Sequence, residues 1–425
     1  MPLEQQNFDP IDHAKSQLLG QNRGWSQKSR ESALSRLSNI GLPNHRDEYW
    51  KYTNPAELLT NDLTGLLVAD HDEANVFSEV DVLKIVFCDG TFRPDLSDEF
   101  SSDNMSINRL ADKGDLHWAQ NFYGVLEKQG HTPVPRPLAA LNTAIASDGV
   151  LIHVKGNIDK PILLLGLQNT QAEATLHHLI KIDPGCSLTL LESGSFATKL
   201  NTVMEVFLDK GANFEHVRTQ GREHDRWAAT YIFSDMKEAA KFKSFTLTAN
   251  GILTRNECVL NLSGNDCVAH VAGASVGDGK TFHHDDTVFI THDAVACESR
   301  QVFKKVLRNG ATGVFQGKIL VKEGAQKTDG YQISQSLLLD DDSQFLAKPE
   351  LEIYADDVVC SHGSTSGAID EQALFYLCSR GISKEDATDM LTLAFLAEAV
   401  EEIENENVAN IIVEKISAWL SRRKN

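Results

Sequence analysis

Between residues 150 and 365 the chain runs through short strand-like segments, with no long helical periodicity to interrupt them. Leu151-Ile152-His153-Val154, Leu188-Thr189-Leu190-Leu191, Val203-Met204-Glu205-Val206-Phe207, Phe245-Thr246-Leu247-Thr248 and Val288-Phe289-Ile290 are apolar or alternating runs of strand length. The turns between them share a form: a polar residue or Gly, then a small residue, then renewed alternation. Asp209-Lys210-Gly211-Ala212, Lys237-Glu238-Ala239-Ala240, Ser263-Gly264-Asn265-Asp266, His292-Asp293-Ala294 and Arg308-Asn309-Gly310-Ala311 are examples. Most recur at roughly 25–30 residues, which is too long for hairpins and suits one coil of a solenoid. So many strands without crossover helices leave a sandwich, a propeller or a β-helix. A propeller needs four strands per repeat and a blade signature, and neither is present. A sandwich of this length needs two copies. A parallel β-helix accommodates coils of uneven length, and is the expected core over 146–365.

The flanks read differently. Residues 26–40 place Ala33, Leu34, Leu37 and Ile40 at helical spacing, and Gly41 and Pro43 end the run. The cluster Arg46-Asp47-Glu48-Tyr49-Trp50-Lys51-Tyr52-Thr53 reads as a packing anchor, with Trp50 and Tyr52 burying rings and Arg46 pairing with a carboxylate. Residues 82–87 form a short strand, and Asp89-Gly90 is a hairpin-type turn before Thr91-Phe92-Arg93. His131-Thr132-Pro133-Val134-Pro135-Arg136-Pro137 blocks helix and central strand alike, so a boundary falls near it. This gives a helical and mixed region over 1–145. Helices return over 366–425. Gly381 caps the first, and Ser383 with Asp386 opens the second. Ala387, Met390, Leu391, Ala394 and Phe395 line one face of that helix. Val408, Ile411, Ile412, Ile416, Trp419 and Leu420 line the last. Such stripes suit a cap over the open end of the solenoid, a protein-docking platform, or both.

Composition excludes several function classes. Sixty acidic residues against forty basic give a net charge of −20, which repels phosphate backbones and anionic lipid. No apolar run approaches the roughly 18 residues of a membrane span. Met1-Pro2-Leu3-Glu4-Gln5-Gln6 lacks the pattern of a signal peptide. Seven cysteines without a CxxC suit a reducing cytoplasm.

Standard catalytic motifs are missing or out of context. Gly273-Ala274-Ser275-Val276-Gly277 fits GxSxG by letter, and Ala274 to Thr281 is a loose Walker A. Both need a helix next, whereas turn and strand follow, so a glycine-rich solenoid turn is expected and no nucleotide site. His283-His284-Asp285-Asp286 has metal-capable residues, but strand neighbours face opposite ways and the stretch reads as a solvated turn. Cys258, Cys267 and Cys297 make no local chelate. Glu298 and Arg300 form a same-face ion pair, and Cys88, Cys186 and Cys378 read as core. Cys360-Ser361-His362 is the sharpest feature. On a continuing strand, Cys360 and His362 project on one face. A thiolate beside an imidazole suits iron or zinc. The ordinary alternative is a buried Cys beside a hydrogen-bonded His. Two ligands do not complete a site, so the rest must come from elsewhere in the fold, another chain or inorganic sulfide.

Together these blocks resemble one family. Arg46-x-Glu48-x-Trp50-Lys51-Tyr52-Thr53, Ala140-Leu141-Asn142-Thr143-Ala144 with Asp148-Gly149-Val150, and Lys327-Thr328-Asp329-Gly330 all match. So does the long block from Lys348-Pro349-Glu350-Leu351-Glu352-Ile353-Tyr354-Ala355-Asp356-Asp357-Val358 through Cys360-Ser361-His362-Gly363. Phe375-Tyr376-Leu377-x-Ser379-Arg380-Gly381-Ile382 completes the set. The pattern is similar to the SufD family, scaffold subunits of SUF iron–sulfur cluster assembly. The resemblance implies a right-handed parallel β-helix between helical ends, and a scaffold rather than an enzyme. It implies pairing with a SufB-like subunit and docking of a SufC-like ABC-type ATPase on the C-terminal helices. Assembled clusters would then pass to acceptor apoproteins. Cys360 and His362 carry over as residues at the SufB-facing seam that help hold iron or a transient cluster, with no nucleotide bound by this chain. Phe375, Tyr376 and Arg380 carry over as partner-interface residues. A homodimer of the chain alone is left open. Two other readings are a plain structural adaptor and a β-helix enzyme acting on polysaccharide; the latter calls for a secretion signal and clustered carboxylates.

Overall fold

The computed structural model describes residues 8–19, 24–68, 75–112, 117–221 and 224–421. The first seven residues, read above for a leader, lie outside the described residues. The core is a parallel β-solenoid of about seven turns, and the structure as a whole is 41% strand and 23% helix. The chain enters through α1 (Pro10–Leu19), α2 (Gln27–Ile40), α3 (Ala56–Leu59), β1 (Leu83–Cys88), β2 (Thr91–Phe92), β3 (Met105–Arg109), α4 (His117–Gln120), α5 (Val125–Gln129) and α6 (Pro137–Ile145). The coils then alternate between two walls. They run β4 (Val150–Val154), β5 (Ile162–Leu167), β6 (Glu173–Ile182), β7 (Ser187–Gly194), β8 (Lys199–Leu208), β9 (Asn213–Gln220), β10 (Trp227–Met236) and β11 (Lys241–Ala249). They continue through β12 (Leu253–Leu262), β13 (Val268–Asp278), β14 (His283–His292), β15 (Glu298–Arg308), β16 (Thr312–Val321), β17 (Thr328–Leu338), β18 (Gln344–Ile353) and β19 (Val358–Gly367). α7 (Glu371–Ser379), α8 (Lys384–Val400) and α9 (Glu406–Ser421) follow.

Odd-numbered strands from β5 to β19 build one wall, which β1 and β2 extend; even-numbered strands from β4 to β18 build the other, which β3 closes. Coil-to-coil pairing is parallel, whereas β2 and β3 join antiparallel. The β1–β2 turn has positive φ at Asp89 and Gly90, the twist a two-residue hairpin demands.

The recurring turn has a physical basis. Gly185, Gly211, Ala239, Asp266, Ala296 and Lys327 occupy one corner in successive coils, all with positive φ, 26 to 31 positions apart. At each corner the amide donates to a carbonyl of the next coil, as Gly211 does to Glu238 (2.8 Å) and Ala296 to Gln326 (2.9 Å). The ladder thus continues around the bend. The corner needs a left-handed residue, not glycine as such, so no single-letter repeat marks it.

Alternation along each strand sends one set of side chains into the lumen and the other outward. Ile180, Ile182, Leu188, Leu190, Met204, Val206, Phe214, Phe242, Leu260, Val288, Ile290 and Phe303 fill the lumen. Outward residues are buried too. Val203, Ala229, Tyr231, Phe233 and Leu253 are covered by residues of α1, α2 and α6. On the opposite wall Leu247, Ala249, Ala272, Ala274, Val276, Val302 and Val306 are covered by α8 and α9.

This corrects the reading of the C-terminal helices as an end cap: they lie along the outer face of the odd-numbered wall, chiefly on β13 and β15. Val408, Ile412, Ile416 and Leu420 of α9 are all buried there; at about 1.5–3 kcal/mol each this one stripe contributes on the order of 10 kcal/mol. In α8 the buried positions are Ala387, Thr392, Leu396, Ala399 and Val400, while Met390 is 50% exposed and Ala394 is exposed. The inward stripe is therefore rotated from the one expected. Ser383 does cap α8, accepting from the Asp386 amide (3.0 Å). Charge pins the same helices. Arg300 bonds Glu402, His270 bonds both Glu402 (3.1 Å) and Glu298 (3.2 Å), and Lys304 bonds Glu398. Glu298 and Arg300, expected to pair with each other, instead pair with His270 and Glu402.

Candidate metal-binding edge at the open end of the solenoid

β19 is the last strand of its wall. It pairs in register with β17, Gly330 opposite Cys360 and Gln332 opposite His362, and among the described residues no strand lies on its other edge. β18 ends the other wall in the same way. Cys360 and His362 sit at alternate positions of one continuous strand, so they share a face. That face is the lumen. Ser364 and Ser366, next in the same series, bond the hydroxyls of Ser334 and Ser336 one coil below (3.1 Å each). Cys360 packs with Ile319, Val321, Ala325 and Ala355 across the interior. With no coil beyond, Cys360 is half-buried and His362 exposed. The pair lines the mouth of the solenoid.

Close approach at this mouth depends on Gly330. A Cβ there would lie 3.1 Å from the Cys360 sulfur, so the missing side chain is what seats the thiol. Burial raises the Cys360 pKa, and the Gly330 backbone works in the opposite direction. Desolvation of this kind favours the neutral thiol over the thiolate. Beneath His362 the column continues inward as Gln332 and then Gln301, both fully buried, with neither amide atom of either side chain hydrogen-bonded. Leaving a buried amide group unpaired costs roughly 1–3 kcal/mol.

The donor set fits iron: a soft sulfur, a borderline nitrogen and an open side. It is also incomplete. Among the described residues no group of three or more His, Cys, Asp or Glu could hold a metal. The rim around it is apolar and exposed: Ile353 and Tyr354 where β18 ends, and Val359, 70% exposed, on the outer face of β19. α7 follows β19 directly and buries no residue; Phe375 is 75% exposed, and the Arg380 guanidinium lies 5.0 Å from the Tyr376 ring centre. Cys378, expected in the core, is half-buried on this same helix.

The other residues singled out in the sequence fall elsewhere. Gly273 to Gly277 lie within β13, only 279–281 turn, and β14 follows, so no helix completes either phosphate-loop or nucleophile geometry. His283-His284-Asp285-Asp286 is not a solvated turn but the buried start of β14. Its residues do face opposite ways. Inward, His284 and Asp286 meet the buried Lys305 amine. Outward, Asp285 accepts from Thr53 (2.6 Å), Arg255 and Gln316. Arg255 also bonds Glu257 (2.8 Å) and stacks 4.3 Å from the Trp50 ring centre. The aromatic and basic cluster near residue 50 is therefore an anchor, with Tyr49 and Trp50 buried and Tyr52 partly so. Arg46 is exposed, with no carboxylate partner among the described residues. Lys348 bonds Glu48 (2.7 Å), and Tyr49 bonds Glu350, so the anchor braces β18. Cys267 and Cys297, distant in sequence, stack in neighbouring coils and share a hydrogen bond that raises the Cys267 thiol and lowers that of Cys297.

Comparison with known proteins decides the family. The model described as SUF system FeS cluster assembly, SufBD core domain, matches residues 166–395, and that of the SufBD protein N-terminal region matches 1–164. The chain belongs to the SufBD family. Iron–sulfur cluster assembly protein SufD of Escherichia coli (strain K12) is 29% identical over 408 residues, 91% of each chain. SufD of Bacillus subtilis (strain 168) is 23% identical over 424 residues, covering 93% of this chain and 94% of that one. SufB of the same organism is 22% identical over 422 residues, covering 95% and 81%. SufBD proteins act in iron–sulfur cluster assembly, and this chain carries both regions of the family along its length. No helix among the described residues is long and apolar enough to cross a membrane.

Proposed function

We propose that this SufBD-family chain is a SufD-type scaffold whose open solenoid end pairs with a SufB-like subunit, and that Cys360 and His362 hold iron or a nascent cluster as cargo at that seam. The observation that carries the reading is an inward-facing Cys–His pair on a strand whose outer edge is free. Free ladder groups invite another strand, the exposed Tyr354 and Val359 supply apolar contact, and the missing ligands come from the facing chain. Cysteine contributes a soft thiolate. Histidine contributes a nitrogen that can be protonated and released. The chain itself performs no catalysis and binds no nucleotide; it positions the cargo and passes it to acceptor apoproteins.

α7, with Phe375, Tyr376 and Arg380 outward, offers the docking face for a SufC-like ABC-type ATPase. α7 packs on α8, and α8 is pinned to the wall that ends in β19 through Arg300–Glu402 and Lys304–Glu398. A rigid-body shift imposed by the ATPase would reach the cargo site along that wall. The three-part division assigns N-terminal bracing to 1–145, the seam to 146–365 and ATPase docking to 366–425.

The test is co-expression of the chain with SufB-like and SufC-like partners, followed by assay of the recovered complex for iron, sulfide and ATP turnover. Cys360→Ala and His362→Ala should each lower iron and sulfide while the complex still assembles. Unchanged metal content in both variants would leave a plain structural adaptor.

A further inference from the structure

We infer that Gln332 is a positioning residue for the cargo site: its side-chain amide accepts the imidazole N–H of His362 that the metal does not take, and so fixes the ring for coordination. This rests on the reading that Cys360 and His362 hold iron. Gln332 lies on β17 opposite His362, on the same lumen-facing series, one coil inward. Its side chain is fully buried, and both its amide oxygen and its amide nitrogen lack hydrogen-bond partners. Gln301, opposite Gln332 on β15, is in the same condition one coil deeper. Two buried, wholly unsatisfied amides in one column beneath an exposed histidine are an expensive arrangement that packing alone does not explain. Leucine is close in volume and would remove the penalty. An amide is what a half-coordinated imidazole requires, because a metal-bound histidine needs an acceptor for its second ring nitrogen.

The neighbouring residues leave room for this amide. Gly317, on the facing wall, stands where a Cβ would come within 2.4 Å of the Gln332 amide oxygen. The lumen is kept open at that point by the lack of a side chain. Gln301 completes the column. Its amide oxygen can accept from the Gln332 amide nitrogen from below, which turns the Gln332 oxygen toward His362. On the Cys360 side of the column, Gly330 and Ser299 follow in the same two coils, and Ser299 bonds His292 (2.8 Å). That hydroxyl is already engaged, whereas both glutamine amides in the column below His362 lack partners.

The experiment uses the assembled complex with its partner subunits, stripped of metal and titrated with iron(II) against a competing chelator. Cobalt(II) serves as a second probe, because its visible absorption reports coordination geometry. Gln332→Leu should weaken iron(II) binding at least ten-fold and alter the cobalt(II) spectrum, with the midpoint of thermal unfolding unchanged or raised. Gln332→Glu keeps an acceptor oxygen in the same place and should restore affinity to within about three-fold of the parent. Parent-like binding by Gln332→Leu while Cys360→Ala loses the metal would overturn the inference and leave the cargo reading standing. Parent-like binding by Cys360→Ala and His362→Ala would overturn both. A fall in the unfolding midpoint of Gln332→Leu, with no rescue by Gln332→Glu, would mark the amide as a structural element and also overturn the inference.

Discussion

Asp285 is the node that ties the N-terminal anchor to the solenoid, and removing its carboxylate should be costly. Its oxygens accept from Arg255, Thr53, Gln316 and Thr287, and the residue has no exposed surface. Asp285→Ala would strand the buried Arg255 guanidinium with one carboxylate partner, Glu257, and take the acceptor from Thr287, while Thr53 keeps His283 (3.0 Å) and Gln316 keeps the Tyr49 carbonyl (3.2 Å). Breaking a buried pair from one side costs about 3–5 kcal/mol. Here Glu257 and the Trp50 face still stabilise the cation, so the expected loss lies near the lower bound, about 3 kcal/mol. Arg255→Met with Asp285→Leu removes both charges, and Glu257 keeps its bond to Arg136 (2.9 Å). The double variant should therefore be more stable than Asp285→Leu alone, with a coupling of roughly 2 kcal/mol or more in the cycle of Arg255→Met and Asp285→Leu. Urea unfolding measures these differences. Hydrogen exchange provides the local readout: because Tyr49 and Glu48 brace β18, amides of β14, β16 and β18 should lose protection in Asp285→Ala before those of β6 and β8. A loss under about 1 kcal/mol, or strictly additive single effects, would refute the account of Asp285 as a buried keystone.

Three further predictions are independent of that node. Burial holds His178 and His292 down to about 4, whereas unfolded histidine titrates near 6.5. The unfolded chain thus binds more protons between those values, so stability present above pH 6.5 is lost as pH falls toward 4, on the order of 3 kcal/mol for each group; urea midpoints across pH 4–7 should show this, and His178→Phe should flatten the slope. Ile412→Ala opens a cavity under α9 and should cost about 2–5 kcal/mol by urea unfolding, with exchange protection falling in α9 first. Phe375→Ala and Tyr376→Ala touch only exposed side chains, so stability should move by less than about 0.5 kcal/mol while recovery of the ATPase in a pull-down is lost.

Much of the β core was legible in the chain because alternation and the recurring turn are both local properties. Leu188 to Leu191 or Val203 to Phe207 can be read as strands without knowing what they face. His283 to Asp286 misleads for the same reason. Polar residues at a turn-like position look solvated, yet both faces of β14 are covered, and their partners, Arg255, Thr53 and Lys305, lie 19 to 232 positions away. The stripe on α9 correctly marks what is buried and says nothing about where. A cap over the end and a shingle on the wall demand the same apolar face. The shared face of Cys360 and His362 follows from period two. Gln332 and Gln301 do not stand out in sequence, because the column that joins them to His362 exists only through coil register.

The two ends of the solenoid differ in what they leave unsaturated. At the entry, two short antiparallel strands, β2 with two residues and β3 with five, block further stacking. At the exit, β18 and β19 each present ten residues of unpaired ladder. Helices already occupy the flanks. A body blunted at one end and open at the other extends its ladder more readily at the exit than at the entry. End-on stacking of such bodies through their exits would close after one union rather than propagate into a fibre, and it leaves the helical flanks free for other contacts.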